Sequence, residues 1–391
     1  MIRNAKSMSN SILFLVPRLH TNMLGWLEGL NQIGIEHKTL VLKSSSSENY
    51  FYGEPRHIKK QSLRLTHSSG KNSFKEKGGF PSLIWLSREI SQIAPEYIIV
   101  RVEMNISSLI FLLAVKSTKI PFVIYMQWPL TGLDVLRSGI RRIIAFATST
   151  NIITPSLSKF DSWTSELDPL KNNKKVFLVP FAMPIHESDT VPQAKLAKDS
   201  PLTFLTVGKF QFRKNHLESI KTFLNNKSFI ENKSRVIIVG EVSTKEHVRV
   251  LREINEFLSQ KTLGSRVTLK TNLTHQEALN EISECDVFFL LSNNEPASIS
   301  NIEAMSFGKP VIVKIGNGTA NYVQSEEGGF IVSDFKEFST KITIIHENRN
   351  LLESFRKKNL ERLQNISNPK RNAELLVRIL KQSKRGRAVD A

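Results

Sequence analysis

Residues 295–313 read EPASISNIEAMSFGKPVIV, and this stretch decides the fold. The run before it, VFFLL at 287–291, has the length and composition of a buried parallel strand. Glu295 stands just past that strand, Pro296 suits a turn, and Ser298 or Ser300 can cap a helix running through Met305. Gly308 ends the helix, and the next buried strand follows at 310–313. In a doubly wound sheet, ligands bind in the crevice beyond the carboxyl ends of the strands. Glu295 is therefore expected on the crevice floor. The N–H groups near residues 298–300 would lie beside it, where a phosphate fits. Glu303 follows eight residues later, one to two turns into the same helix, within reach of hydroxyls on the same ligand. A carboxylate for a sugar, a helix N-terminus for phosphate and a carboxylate for a ribose predict a nucleotide-sugar site.

The same alternation extends in both directions. In the second half, strands are expected at 203–207, 236–239, 267–270, 287–291, 310–313 and 329–332, with helices between them. Terminal helices are expected at 351–364 and 372–384, with Pro369 starting the last one and a basic, frayed tail beyond 384. In the first half, strands are expected at 11–16, 38–42, 97–102, 122–126, 152–154 and 176–179. Helices are expected at 23–33, with Asn22 as cap, and at 83–93, 107–117 and 140–147. Residues 43–77 are polar and read as a long excursion. Short apolar strands separated by amphipathic helices imply parallel sheets covered on both faces. The expected fold class is α/β, with two Rossmann-like doubly wound domains facing across a cleft. The first domain is expected over 1–190, a linker over 191–201 and the second domain over 202–368. Residues 369–391 form a helix and basic tail, the helix packing back on the first domain.

At 391 residues the chain exceeds the size at which one core stops growing, and its 40% hydrophobic content is that of a globular protein. The single cysteine, Cys285, allows no disulfide framework and fits a reducing cytosol. The apolar run 12–16 is too short for a signal-peptide core, and no stretch reaches the ~20 apolar residues of a membrane span. A cytoplasmic protein, peripheral at the inner face of the cell membrane, is expected. The formal charge of +18 calls for an anionic partner. No zinc-ligand spacing, aromatic RNA-binding motif or recognition helix is present, so nucleic acid is not expected. An anionic membrane surface and diphosphate ligands account for the charge, with Arg137, Arg141 and Arg142 the preferred membrane contact.

The first strand of the second half runs into VGKFQFRKNH at 207–216. Gly208 lets the backbone turn beside a ligand. Lys209 and Lys214 then lie on a loop leading into a helix, an arrangement suited to clamping a diphosphate. When a nucleoside diphosphate departs it gains negative charge, which fixed cations stabilise. The nine histidines are scattered and no Asp-x-Asp occurs, so no metal site is expected. The absence of G-x-G-x-x-G after either opening strand disfavours a dinucleotide-dependent oxidoreductase.

Together these features resemble the retaining nucleotide-sugar glycosyltransferases of GT-B fold, glycosyltransferase family 4 or group 1. The resemblance covers roughly 204–332 and continues more weakly through the first half. Gly208, Lys209, Arg213 and Lys214 match the family's donor loop, Glu295 and Glu303 match its spaced glutamates, and 308–311 matches its Gly-Lys-Pro-Val. The resemblance implies that Glu295 lies against the donor sugar and Glu303 holds the ribose. Backbone at Ala297, Ser298, Ile299 and Ser300 would contact sugar and phosphates. Gly240 with Glu241, and Asn272 with Leu273, would lodge the base. His20 and Thr21 would border the acceptor cleft. Many members carry a histidine near the transferred sugar, and Gln127 occupies that place here; Gln cannot act as a base, but it can hydrogen-bond the sugar. No metal or cofactor is implied beyond the substrate, a UDP-sugar or GDP-sugar. The implied activity is hexosyl transfer to a lipid-linked or oligosaccharide acceptor in cell-surface polysaccharide or lipopolysaccharide synthesis. Epimerisation or transfer to a sugar phosphate on the same scaffold, and a non-catalytic sugar-nucleotide-binding subunit, remain open alternatives.

Overall fold

The alternating apolar runs assemble into two separate parallel sheets. The computed structural model describes residues 11–19, 21–43, 52–61, 79–103, 105–127, 150–155, 176–186, 197, 199–295, 297–323 and 325–389. The first sheet contains β1 (Ser11–Val16), β2 (Glu36–Val41), β3 (Arg56–His57), β6 (Tyr97–Arg101), β7 (Phe122–Tyr125), β8 (Ile152–Thr154) and β9 (Val176–Leu178). Its order is β3-β2-β1-β6-β7-β8-β9, with β1 between its two crossover partners. A separate antiparallel ribbon pairs β4 (Lys60–Gln61) with β5 (Phe80–Pro81). The second sheet contains β10 (Thr203–Val207), β11 (Arg235–Gly240), β12 (Val267–Thr271), β13 (Val287–Leu290), β14 (Val311–Lys314) and β15 (Gly329–Val332). Its order, β12-β11-β10-β13-β14-β15, reverses between β10 and β13. That switch point is where a doubly wound sheet opens its ligand crevice.

Side chains alternate across each sheet because the strand period is two. Phe14, Ile99 and Tyr125 pack on one face of the first sheet with Trp26 and Leu30. Leu13, Leu15, Ile98 and Val100 pack on the other with Leu86, Ile90 and Phe111. The second sheet is covered in the same way, by Phe204, Phe223 and Phe289 on one face and Leu205, Phe288 and Ile302 on the other. Burial on both faces explains why these strands read as continuous apolar runs.

The last helix, Pro369–Val389, leaves the second domain and packs on the first. Ala373, Leu376, Ile379 and Leu380 lie in the same cluster as Trp26 and Phe14. The crossing is close because Gly29 of the helix Leu24–Gln32 has no side chain. A Cβ there would collide with the Pro369 carbonyl oxygen and lie 2.9 Å from Ala373 Cβ. Gly29→Ala is therefore expected to cost about 1–3 kcal/mol through overpacking. A lowered denaturant midpoint with unchanged slope is the expected reading; an unchanged midpoint would contradict this packing.

Asn22 caps nothing: a short 3-10 turn, Thr21–Met23, leads into Leu24–Gln32, whose N-cap is Met23 without a side-chain bond. The polar excursion contains β3 and β4, two-residue strands with no apolar alternation to betray them. The tail expected to fray beyond 384 continues the last helix as far as Val389. Ser298 does occupy the N-cap of the helix Ile299–Ser306, but its hydroxyl faces Ser300 Oγ at 3.0 Å rather than a backbone N–H of the first turn. The expected helix 140–147, Arg137, Arg141, Arg142, Pro296 and most of the linker lie outside the described residues.

Candidate active site

β10 ends at the switch point, and the chain turns at once through Gly208. A Cβ on Gly208 would press on Lys214, 3.3 Å from its Cε, so the missing side chain leaves the lysine its path across the loop. The loop is pinned from several sides. The Phe210 ring is fully buried against His216, and Asn215, in the left-handed region at φ 56°, donates from Nδ2 to Leu291 O at 2.7 Å. Asn293 N donates to Arg213 O, also at 2.7 Å. Burial and the nearby Lys214 charge push His216 down to about 4, so its neutral ring braces the loop at Lys209 O. The Gly208 loop is thereby fixed to the segment that follows β13.

Glu295 lies on that segment. Lys214 Nζ donates to its Oε2 at 2.5 Å and Arg213 Nη1 donates to the same oxygen at 2.7 Å. Lys214 and Glu295 are both buried, whereas Arg213 is 40% exposed and reaches in from the rim. Burial pushes the Glu295 carboxyl up, but the two cations outweigh burial and hold it below the usual carboxylate range. Burial lowers Lys214 against the opposing pull of Glu295. The two lysines of the loop are therefore not equivalent. Lys209 points elsewhere, 3.1 Å from Glu241 Oε2, and is 40% exposed.

The helix Ile299–Ser306 starts beside Glu295, and the first-turn N–H groups of any helix lack intrahelical acceptors. Ser298 N is held by Thr319 Oγ1 at 3.3 Å, and Gly318 N donates to Glu295 O at 2.7 Å. Glu303, one turn on, is buried and paired with His275 Nε2 at 2.7 Å. The hydrogen bond to Glu303 raises His275, with burial opposing it. An upward shift means that the charged pair stabilises fully below the unfolded value of 6.5, and that this stabilisation is lost as pH rises through the raised folded value. The stability gap between the parent and His275→Ala is expected to shrink across that window. A gap flat in pH would show that His275 is not charged against Glu303.

These groups line one crevice of about 800 Å³, a volume within the range of small-molecule sites. Its wall includes Gly208, Lys209, Arg213, Lys214, Gly240, Glu241, Asn272, Leu273, Glu295, Ala297, Ser298, Ile299, Ser300 and Glu303, the donor-loop and donor-site residues singled out from sequence. Asn272 uses its own amide to fasten the loop after β11, accepting from Val242 N at 2.7 Å. Thr21 lines the crevice from the first domain, together with Arg18. His20 lies outside the described residues. Gln127 is not among the lining residues: at the end of β7 its Oε1 accepts from Arg101 Nη2 at 2.6 Å.

His275 and Arg18 were not anticipated. The signal for His275 was available, because Thr274 and Glu277 form a capping box that starts a helix at the carboxyl end of β12. A titratable residue at that position faces the crevice. Arg18 had only its place two residues after β1.

Residues 187–362 match the family model described as glycosyl transferases group 1. No curated protein matches the sequence. Among solved structures, a glycosyltransferase from Rickettsia africae shares 13% identity, covering 96% of this chain and 99% of its own, with a TM-score of 0.69. HepE from Anabaena in complex with UDP shares 13% identity over 95% of this chain and 100% of its own, with a TM-score of 0.70. The lipopolysaccharide outer core galactosyltransferase WaaB, in apo form, shares 13% identity over 93% of this chain and 97% of its own, at a TM-score of 0.60. The fold is that of the GT-B glycosyltransferases. The matched segment includes the crevice-lining residues from Gly208 to Glu303.

Proposed function

We propose that the protein is a retaining, metal-independent glycosyltransferase. It moves a hexosyl group from a UDP-sugar or GDP-sugar to a lipid-linked glycan in cell-surface polysaccharide or lipopolysaccharide synthesis. It works in the cytoplasm, peripherally at the inner face of the membrane. The observation that carries this reading is the Lys214–Glu295–Arg213 cluster at the switch point, one helix turn from Glu303. In the free protein Glu295 pairs with both cations. A diphosphate entering the crevice competes for them and frees the carboxylate to accept hydroxyls of the donor sugar. The cations and the helix N-terminus then stabilise the charge on the departing diphosphate. The acceptor oxygen bonds to the anomeric carbon on the face that the phosphate leaves, and the acceptor proton passes to the leaving phosphate. No side-chain base is required, so Gln127 is compatible with turnover. HepE, solved with UDP and with UDP-glucose, supports a uridine donor. WaaB supports a lipopolysaccharide-type acceptor.

The test is turnover of UDP- and GDP-sugars with and without glycan acceptors, the product anomer being read by NMR. Transfer with retained configuration is the expected result. Donor consumption that ignores acceptor would instead indicate epimerisation or hydrolysis, and no turnover of any nucleotide sugar would sink the catalytic reading.

A further inference from the structure

Surface helices normally turn charged or polar residues to solvent. Two neighbouring helices of the first domain, Leu83–Ile93 and Ile106–Ser117, also place large apolar side chains there. Ile106, Leu109 and Leu113 recur at helical spacing on one face of the second helix and are 58%, 57% and 49% exposed. Leu83 and Ile84 stand exposed at the start of the first, Ile84 at 63%. Ser87 Oγ and Ser117 Oγ, 3.2 Å apart, tie the two helices side by side. Five of the nine exposed large hydrophobic side chains among the described residues thus share one surface. The opposite face of Ile106–Ser117, with Phe111, Ala114 and Val115, fills the core, and Leu109 and Leu113 lie outside that core.

The exposed charged side chains of the two helices themselves are basic. Arg88, Lys116 and Lys119 are exposed on or beside the two helices. Their single acidic residue, Glu89, is buried and paired with Arg56. Glu103, just before the second helix, is paired with Arg101 at 3.5 Å. No helix among the described residues is long and apolar enough to cross a membrane. An apolar stripe rimmed by cations fits the interface of an anionic bilayer, where side chains enter the acyl boundary and lysines meet headgroups.

We infer that the exposed face formed by Ile84, Ile106, Leu109 and Leu113, with Arg88 and Lys116, is the surface by which the protein docks on anionic lipid. The inference rests on the proposed membrane-side reaction and assigns that docking to described residues other than the arginines at 137–142. None of these side chains lines the crevice, so docking and donor binding can be read separately.

The experiment compares the parent with Leu109→Gln/Leu113→Gln in sedimentation with phosphatidylcholine vesicles, with and without phosphatidylglycerol. UDP and GDP titrations serve as a check on folding. The parent is expected to sediment with the anionic vesicles only, and the variant to lose about tenfold or more of that binding with unchanged nucleotide affinity. A variant that binds vesicles as the parent does would overturn the assignment of this surface while leaving a membrane-side enzyme intact. A parent indifferent to both vesicles would overturn the docking altogether. A parent dimer that the variant dissolves would give the surface to a second copy of the chain. Failure of nucleotide to bind the parent would count against the glycosyltransferase reading alone.

Discussion

Glu295→Gln is expected to slow sugar transfer about 10²- to 10³-fold while leaving UDP or GDP affinity within a few-fold of the parent. The substitution keeps the shape of the side chain and removes its charge. Two effects follow from the geometry. The donor sugar loses the carboxylate that orders its hydroxyls, an interaction used most in the transition state. Lys214 and Arg213 lose the anion they pair with, so no carboxylate competes with the diphosphate for either cation. Turnover therefore falls without a matching fall in affinity. A variant that lost both equally would place Glu295 on the nucleotide rather than on the sugar.

Lys214→Ala is expected to have the larger effect on the molecule as a whole. Removing one partner of a buried ion pair leaves the other charge stranded, at a cost of about 3–5 kcal/mol. Arg213 stays on Glu295, which moves the expected stability loss to the low end of that range. Nucleotide affinity and transfer should both fall, because the buried cation facing the diphosphate has gone. Lys209→Ala should change stability by less than about 1 kcal/mol, since its pair with Glu241 is partly solvated. Equal effects of the two substitutions on melting and on transfer would contradict the distinction between a buried and a rim cation. Lys214→Arg, which keeps the charge, provides the control for a variant that folds poorly.

The fold was legible because its strands are buried on both faces. Each therefore reads as an apolar run, and those of the second sheet begin and end within a residue or two of expectation, as Val267–Thr271 and Gly329–Val332 illustrate. Parts held by polar contacts were not legible. β3 and β4 are two residues long and partly exposed, and nothing in their composition separates them from a loop. Ser298 and Asn22 have the chemistry of caps, yet tertiary partners and a 3-10 turn decide what they do.

At the site, local spacing brought Glu295, Glu303 and the Gly208 loop together correctly. Sequence could not show that Lys214 rather than Lys209 reaches Glu295. That outcome depends on the 3-10 turn Phe212–Lys214 and the left-handed Asn215, which swing the two lysines apart. The His275–Glu303 pair joins residues 28 apart that follow β12 and β13, strands consecutive in sequence but separated in the sheet by β11 and β10, so no local motif announces the contact.

In the proposed reaction this crevice holds a nucleoside diphosphate with its ribose on Glu303. Calorimetric titration of UDP and GDP into the parent and Glu303→Ala tests it most directly. Saturable binding of one of the two nucleotides to the parent is expected, with affinity about tenfold or more lower in Glu303→Ala, the loss of a hydrogen bond to a charged group. No binding of either nucleotide, or binding of equal strength to both proteins, would contradict it.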